Sequence, residues 1–159
     1  MRSVRGARLP GTGPADRPHR GPLLLPSAVR GAVVAHARRD APRECCGLLL
    51  GRGRRVTHAV AMRNAAGARA RTRFRLDDRD HIAVRRILRD VSPRLEIVGV
   101  YHSHPAGPAR PSPTDVAEAH YPDWVYLIVG LSPRVAIGAF AIRGGRARRV
   151  PIGRKGAGR

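Results

Sequence analysis

The segment from Glu96 to Ala119 constrains this chain most strongly, because it has the pattern of a buried strand, a proline-rich loop and a capped helix. The run EIVGVYHS is apolar and predicts a strand within a sheet. His102 and His104 stand two residues apart at its end, so their rings leave the same face of the sheet. Asp115 follows His104 by eleven residues, in the first turn of a helix that the loop can fold back toward the strand. The segment therefore predicts three side chains that converge at one edge of a sheet.

These three side chains form a donor set that suits a metal ion. Two imidazoles and one carboxylate are ligands that zinc accepts, and three protein ligands leave a fourth coordination position open. An open position is typical of catalytic zinc sites rather than structural ones. The pattern thus favours a zinc site formed by His102, His104 and Asp115.

The same residues also have a purely structural interpretation. Paired histidines on a strand can be half-buried and hydrogen-bonded, and the run SPTD from Ser112 is a good helix start. Ser112 would be the N-cap, Pro113 the first helical residue and Asp115 the third, which completes an arrangement like a capping box. Taken alone, Asp115 fits a cap better than a ligand set, but the two roles can coexist on adjacent groups.

The order of helical and strand patterns predicts an α/β or α+β domain around a mixed sheet. One helix is expected from Pro26 to the residues before Pro42, and a second from Asp77 and Asp78 to Pro93. A short third helix opens at Ser112. The predicted strands are CCGLLLG, RRVTHAVAM, EIVGVYHS, WVYLIVG, RVAIGAFAI and RARRVPI, of which the first two form a hairpin.

The net charge is strongly positive and unevenly distributed. Of the formal +20, residues 1–22 carry five Arg and one Asp, net +4, and residues 143–159 carry six Arg and one Lys, net +7. Residues 1–22 and 153–159 are aperiodic, which predicts disordered basic tails around a single domain from 23 to 152. A basic patch speeds association with acidic partners but specifies nothing, and no helix-turn-helix, zinc-finger or aromatic stacking pattern indicates a specific nucleic-acid ligand.

The apolar stretches are too short for a membrane-spanning helix. The longest begins at Leu23 and is interrupted by Pro26 and Arg30, and no signal-peptide cleavage site follows it cleanly. Cys45 and Cys46 are adjacent, so they cannot bridge distant segments and are expected to be reduced core residues. We therefore expect a soluble, cytoplasmic protein without a membrane partner.

Several other residues are expected to be structural. Ser103 points away from the two histidines, Tyr101 and Trp124 fit a core, and His36 lies on the apolar face of the first helix. A thiol hydrolase built on Cys46 and a histidine is an alternative, but it would leave the zinc-type cluster without a role.

The stretch 64–73, NAAGARARTR, has no apolar period and predicts a flexible loop. It carries Arg69, Arg71 and Arg73, which could steer a partner with an acidic surface. A solvated loop with a compositional arginine bias is the other interpretation.

The spacing of the chemical groups resembles a known signature. HSHP followed by PSPTD gives the pattern HxHx7SxxD, and Glu44 stands upstream in ECCGLLLG. Together they resemble the JAMM (MPN+) metalloprotease signature. The resemblance extends from about Leu23 to Ile152, includes Asn64 and the RFRLD run, and is greatest to the small, stand-alone bacterial members of the Mov34/MPN/PAD-1 family. No motif position departs from the family pattern.

The resemblance implies a fold, a cofactor and residue roles. The fold would be the MPN/JAB-type mixed central sheet flanked by helices. His102, His104 and Asp115 would ligate Zn²⁺, Glu44 would exchange a proton with the attacking water as general base and then general acid, and Ser112 would face the developing oxyanion. The implied reaction is hydrolysis of an amide bond without a covalent intermediate.

The family also implies a class of substrate. Its members act on ubiquitin conjugates and, in bacteria, on small ubiquitin-fold sulfur-carrier proteins with a C-terminal cysteine adduct, so cleavage at the C-terminus of such a protein is expected. A non-catalytic MPN scaffold that binds a partner is the main alternative, and it occurs where the metal ligands are lost, whereas here they are intact. A basic nucleic-acid-binding domain is the second alternative. The scissile bond and the oligomeric state stay open.

Overall fold

In the computed structural model, which describes residues 21–90 and 94–153, the apolar runs of the sequence form one mixed β-sheet. The elements are, in chain order, β1 (Leu23–Leu24), α1 (Ser27–Asp40), β2 (Cys46–Arg52), β3 (Arg55–Met62), a 3₁₀ turn (Gly67–Arg69), α2 (Asp78–Asp90), β4 (Glu96–His104), α3 (Pro113–Ala117), β5 (Val125–Gly130), β6 (Ala136–Arg143), β7 (Arg146–Val150) and β8 (Ile152–Gly153). Over these described ranges the sheet has eight strands in the order β7-β6-β5-β4-β2-β3-β1-β8.

The centre of the sheet is made by the strands whose sequences are continuously apolar. β4 pairs antiparallel with β2 and parallel with β5, and β2 and β5 are buried along almost their whole length. A strand that is covered on both faces needs such a continuous apolar run. As a result, the C-terminal end of β4, which carries His102 and His104, is held between two buried neighbours.

The two edges of the sheet meet in the last segment of the fold. β7 pairs with β6 at one edge, β8 pairs with β1 at the other, and only Pro151 separates β7 from β8. The backbone N–H of Leu23 donates to the carbonyl of Pro151 at 2.7 Å, which closes the junction. Because one continuous segment serves both edges, the sheet curves around its core.

The helices begin and end where local chemistry indicates. α1 starts after Pro26 and buries one face, Val29, Val33, His36 and Ala37, against the sheet. α2 starts after Asp77, whose side chain accepts the backbone N–H groups of Arg79 and Asp80 at 3.0 and 3.1 Å. Such an acceptor satisfies N–H groups that the first turn of a helix leaves free.

The architecture confirms the predicted fold class, and the predicted elements occur in the expected order, but β1 was not predicted and the last predicted strand is divided at Pro151 into β7 and β8. The hairpin is β2 with β3, and each predicted strand lies within two residues of its expected position. The expected end of the second helix at Pro93 lies outside the described residues. The loop over residues 64–73 differs from expectation, because it contains a 3₁₀ turn and is cross-linked by the side chain of Asn64. The loop is irregular, but its backbone groups are hydrogen-bonded.

The predicted tails lie almost wholly outside the described residues. Gly153, which the sequence placed at the start of the C-terminal tail, belongs to β8 and pairs with Leu24. Within the described residues, no helix is both long enough and apolar enough to cross a membrane.

Candidate active site

Two histidines and an aspartate converge at the C-terminal end of β4. His102 is fully buried and its Nε2 lies 3.1 Å from the Nε2 of His104. The carboxylate of Asp115, on α3, lies between them, with Oδ1 3.2 Å from His102 Nε2 and Oδ2 3.1 Å from His104 Nε2. The structure therefore brings together the three side chains predicted as metal ligands.

The proline-rich loop brings α3 back to the strand by close backbone packing. The carbonyl of His104 accepts the N–H groups of Gly107 at 3.2 Å and Leu131 at 3.1 Å. Gly130 pairs with His104 across β4 and β5, and a Cβ at Gly130 would lie 2.4 Å from the backbone nitrogen of Ala109. Only glycine permits this approach, so Gly130 helps to set where the loop delivers Asp115.

The helix cap and the ligand set coexist, as the sequence allowed. The hydroxyl of Ser112 accepts the Asp115 N–H at 3.1 Å, and the Ser112 N–H donates to Asp115 Oδ2 at 2.8 Å. This reciprocal pair is a capping box. Because the Ser112 hydroxyl oxygen is the acceptor, its proton is left to donate to another group. Ser112 thus orients Asp115 and keeps a donor beside it.

The hydrogen bonding of the cluster fits a bound cation. The Nδ1 atom of His104 lies 3.0 Å from the carbonyl of Pro108, which only accepts, so this contact assigns the ring proton to Nδ1. In the neutral ring the Nε2 lone pair then points at the carboxylate of Asp115 and at Nε2 of His102. Three lone pairs at this separation repel each other unless a proton or a cation lies among them. The donor set fits a divalent cation with nitrogen and oxygen ligands.

Protonation states in the cluster follow from its burial and its contacts. Burial alone would raise the pKa of Asp115, but hydrogen bonds from His102 and His104 outweigh it and hold that pKa far below its ordinary value. Burial lowers the pKa of His102. For His104 burial is outweighed by contacts with Asp115 and the net shift of the pKa is upward. Asp115 is therefore held as an anion.

Glu44 lies beside this cluster and outside the convergent group. It immediately precedes the two cysteines at the start of β2 and is 5% exposed. Burial raises the pKa of Glu44 to about 7, partly opposed by His104 and reinforced by Asp115. The N–H of Ser103 donates to the carbonyl of Cys45 at 3.1 Å, which places Glu44 beside His104 at the end of this antiparallel strand pair. A buried carboxyl in this position is suited to proton exchange.

A cavity of about 740 Å³ opens beside Asp115. One wall is the stretch from Ala65 to Leu76, and the opposite wall contains Tyr121 and Trp124, whose rings stack at 3.8 Å. His81 of α2 meets both rings edge-on, with centroids 6.2 and 5.9 Å away. The cavity gives the cluster a recess for a ligand, lined by both aromatic and charged side chains.

Trp124 corrects one expectation from the sequence. It packs against the core, as predicted, but it is only half-buried and also lines the cavity. Phe74, from the opposite wall, stacks on the ring of His102 at 4.3 Å and 21°. No pattern in the sequence pointed to Tyr121 or His81, because these residues come from segments that are distant along the chain, whereas Phe74 lies in the RFRLD run of the resemblance.

The other residues interpreted as structural occupy such positions. Tyr101 is 1% exposed and its hydroxyl lies 2.8 Å from His36 Nδ1. Ser103 lies on the face of β4 opposite the histidines, where its hydroxyl accepts the Cys45 N–H at 2.8 Å. Burial raises the pKa of the free thiols of Cys45 and Cys46 to about 11 and about 12. Thiols with such pKa values are not nucleophiles at neutral pH, which argues against a thiol hydrolase.

A mixed sheet that presents a His-His-Asp group able to hold a metal ion, a buried glutamate and an adjoining cavity is an arrangement suited to hydrolysis. Residues 26–142 match the family described as prokaryotic homologs of the JAB domain, and the chain belongs to this family. This result confirms the predicted JAMM/MPN membership.

Individual relatives agree with this assignment. The chain is 40% identical to the CysO-cysteine peptidase of Mycobacterium tuberculosis over 109 residues, which are 67% of this chain and 72% of the relative. It is 36% identical to the desampylase of Haloferax volcanii over 112 residues, 67% of this chain and 78% of the relative. A JAB1/MPN domain protein of Archaeoglobus fulgidus shares the fold, with a TM-score of 0.54 and 16% identity over 82% of this chain and 97% of its own.

These comparisons confirm two further expectations. The fold is of the JAB/MPN type, and the chain is a hydrolase of peptide or isopeptide bonds. The enzyme is therefore favoured over the non-catalytic scaffold and the nucleic-acid-binding domain. The individual roles expected of Glu44 and Ser112 are taken up below.

Proposed function

We propose that this chain is a zinc-dependent peptidase or isopeptidase that cleaves an amide bond at the C-terminus of a ubiquitin-like or sulfur-carrier protein. The observation that carries the proposal is the convergence of His102, His104 and Asp115 within 3.1 to 3.2 Å, next to a cavity that can admit a chain end. The substrate class draws on relatives named CysO-cysteine peptidase, desampylase and probable TtuB-protein conjugate cleaving protease.

In this proposal His102, His104 and Asp115 hold the zinc ion. When bound, zinc would polarise the scissile carbonyl and lower the pKa of a water molecule from about 15.7 to near 7. The ligands are prepared for this role, because Asp115 is ionised and the contact of His104 with Pro108 keeps a lone pair on Nε2.

Glu44 transfers the proton, and Ser112 stabilises the developing negative charge. The Glu44 carboxylate accepts a proton from the attacking water and then delivers it to the departing amine nitrogen, so the group acts first as base and then as acid. Its burial keeps the pKa near the working pH, where both transfers are efficient. The Ser112 hydroxyl, whose oxygen already accepts from Asp115, donates its proton toward the substrate carbonyl oxygen as negative charge develops there.

The test uses one carrier protein in two forms. A small ubiquitin-fold protein with a C-terminal cysteine adduct, and the same protein joined to a lysine side chain, are incubated with the zinc-loaded enzyme. Mass spectrometry then identifies the released products. We expect one or both forms to be hydrolysed at the C-terminus of the carrier, with loss of hydrolysis after chelation and recovery on adding zinc. Absence of cleavage of both forms by enzyme that contains zinc would overturn the proposal.

Glu44→Gln separates proton transfer from metal binding. This variant keeps the size of the side chain but cannot accept the proton, so we expect it to retain zinc and lose about 10²–10⁴-fold in turnover. Metal analysis and single-turnover rates measure the two effects. Loss of zinc from Glu44→Gln would identify Glu44 as a ligand and contradict its role as base.

The proposal keeps the domain and the location expected from the sequence. The catalytic domain comprises residues 23–152, and the enzyme works in the cytoplasm.

A further inference from the structure

The backbone of Glu44 is held by the loop that lines the cavity. Glu44 precedes the paired residues of β2, which begin at Cys46. Its N–H donates to the carbonyl of Ala70 at 2.7 Å, and its carbonyl accepts from Nδ2 of Asn64 at 3.0 Å. Both partners lie between β3 and α2, in the loop 64–76. The position of Glu44 therefore depends on the conformation of that loop.

Asn64 uses all of its hydrogen-bonding groups in this connection. Nδ2 donates to the carbonyls of Glu44 and Arg73, at 3.0 and 2.9 Å. Oδ1 accepts the N–H groups of Ala66 and Arg75, at 3.0 and 3.1 Å. Two carbonyls on one side and two N–H groups on the other leave a single orientation of the amide. One side chain thus joins Glu44 to both ends of the loop.

The same loop forms one wall of the cavity and contacts the His-His-Asp cluster. Eight of its residues line the cavity, namely Ala65, Ala66, Ala68, Arg69, Arg73, Phe74, Arg75 and Leu76, and Phe74 stacks on His102. A side chain that ties this loop to Glu44 links the cavity, the cluster and the proton-transfer group. General-base catalysis depends on placement, and a displacement of about 1 Å can cost about 10²-fold in rate.

We infer that Asn64 is a positioning residue for Glu44, an inference that rests on the proposed function. Its donation to the Glu44 carbonyl fixes the backbone from which the catalytic carboxyl projects, while its acceptor side shapes the loop. Asn64 acts through Glu44 and does not touch the reacting atoms.

Asn64→Asp tests this role with little change in shape. The aspartate can still accept from Ala66 and Arg75 but can donate neither to Glu44 nor to Arg73. We expect kcat to fall about 10- to 100-fold with KM within about twofold of the wild type and zinc content unchanged. Thr72→Ala is the matched control, because Thr72 is exposed in the same loop and does not line the cavity. This control should behave like the wild type.

A readout that is independent of activity is amide hydrogen exchange at Glu44. The Glu44 N–H is protected by its bond to Ala70, and we expect this protection to fall in Asn64→Asp and to persist in Thr72→Ala. Unchanged protection would overturn the inference. Loss of zinc or of the folded state in Asn64→Asp would also overturn it, because Asn64 would then be a general structural residue.

A double-mutant cycle separates action through Glu44 from a general effect. In the Glu44→Gln background, Asn64→Asp should lower the residual turnover by less than about twofold, since no proton-transfer group is left to position. An equal loss in both backgrounds would refute the inference. The wild-type assay distinguishes the two levels of failure: an inactive wild type contradicts the proposed function, whereas an active wild type with a fully active Asn64→Asp contradicts only the role of Asn64.

Discussion

Two histidine-aspartate clusters lie on opposite faces of β4, and they differ in whether their hydrogen bonding is complete. In the first, the Tyr101 hydroxyl and Asp40 occupy the two ring nitrogens of His36, at 2.8 and 3.1 Å. The tyrosine can donate to Nδ1 while Nε2–H donates to the carboxylate, so a neutral ring is fully satisfied. In the second, His102 and His104 both direct Nε2 at the carboxylate of Asp115 and at each other. Among the described residues, the buried Nδ1 atom of His102 also has no hydrogen-bond partner, so this cluster is not satisfied by its own groups.

The difference teaches that composition does not define a metal site. Both clusters contain histidine and aspartate, and the two meet the same strand at adjacent residues, Tyr101 and His102. The direction of the lone pairs decides the function. Lone pairs that converge require a positive partner from outside, whereas alternating hydrogen-bond donors and acceptors satisfy each other.

The largest expected effect comes from removing a convergent ligand. His104→Ala should lose zinc and with it essentially all turnover, because two ligands bind the ion far more weakly than three. His36→Ala removes a histidine of the complete cluster and should keep about one zinc per chain. Metal analysis of the purified variants measures the difference. Equal zinc content in His104→Ala and wild type would refute the assignment of the site.

Ser112 belongs to both kinds of hydrogen bonding, because it caps α3 within the protein and is proposed to donate to the substrate. Loss of the cap in Ser112→Ala should cost about 0.5–2 kcal/mol of stability, whereas Ser112→Gly caps nearly as well. Neither variant can donate to a substrate oxygen, so both should lose about 10²–10³-fold in turnover. Thermal unfolding and kcat are measured on the same preparations. Recovery of activity in Ser112→Gly would show that Ser112 acts only as the helix cap and does not donate to the substrate.

The cluster of His36, Tyr101 and Asp40 should make the free energy of unfolding depend on pH. Burial lowers the pKa of His36 below its ordinary value of 6.5, despite the opposing effect of Asp40. The unfolded chain therefore takes up a proton at a higher pH than the folded protein does, and the stabilisation by neutral His36 is complete above pH 6.5 and lost as pH falls below it. Denaturant unfolding of wild type and His36→Gln from pH 7.5 to 5 measures this, with a smaller loss expected in the variant. Parallel curves would contradict the arrangement.

Features that lie within one segment of the chain could be predicted from the sequence, whereas features built from distant segments could not. The His-x-His pair and the cap at Ser112 are encoded within single segments, so spacing alone placed them and the structure brings them together. The same holds for the strands, whose apolar runs are continuous. The position of Asp115 next to β4 was expected from the loop, but the close packing at Gly130 that delivers it depends on contact with a strand further along the chain.

The cavity and the role of Asn64 lay beyond the sequence for the same reason. The cavity is assembled from the loop 64–76, α2 and the residues before β5, and no spacing rule connects Phe74, His81 and Trp124. The sequence showed Asn64 only as the first residue of an arginine-rich loop and as one position of the family resemblance, without a role. Its four hydrogen bonds join backbone groups from three places along the chain, which only the folded structure brings into register.

The smallest expected effect concerns charges that lack a partner within the chain. Arg73 forms an ion pair with Glu118, whereas Arg69 and Arg71 have no ion-pair partner among the described residues. Both side chains are exposed, so a partner from outside can reach them. If that partner is an acidic protein surface, the attraction should fade as the Debye length shrinks from about 10 Å at 0.1 M salt to 3 Å at 1 M.

Replacing Arg69 and Arg71 together by Ser should therefore slow association with a ubiquitin-fold substrate by about three- to tenfold at low salt and spare the hydrolysis of a short peptide. The matched control changes Arg30 and Arg38, which are exposed on α1 and do not line the cavity, and should have less effect on either substrate. Stopped-flow association rates at 0.05 and 1 M salt provide the measurement. If the two pairs of substitutions slow association equally, the effect is one of net charge, and the loop has no special part in recognising the partner.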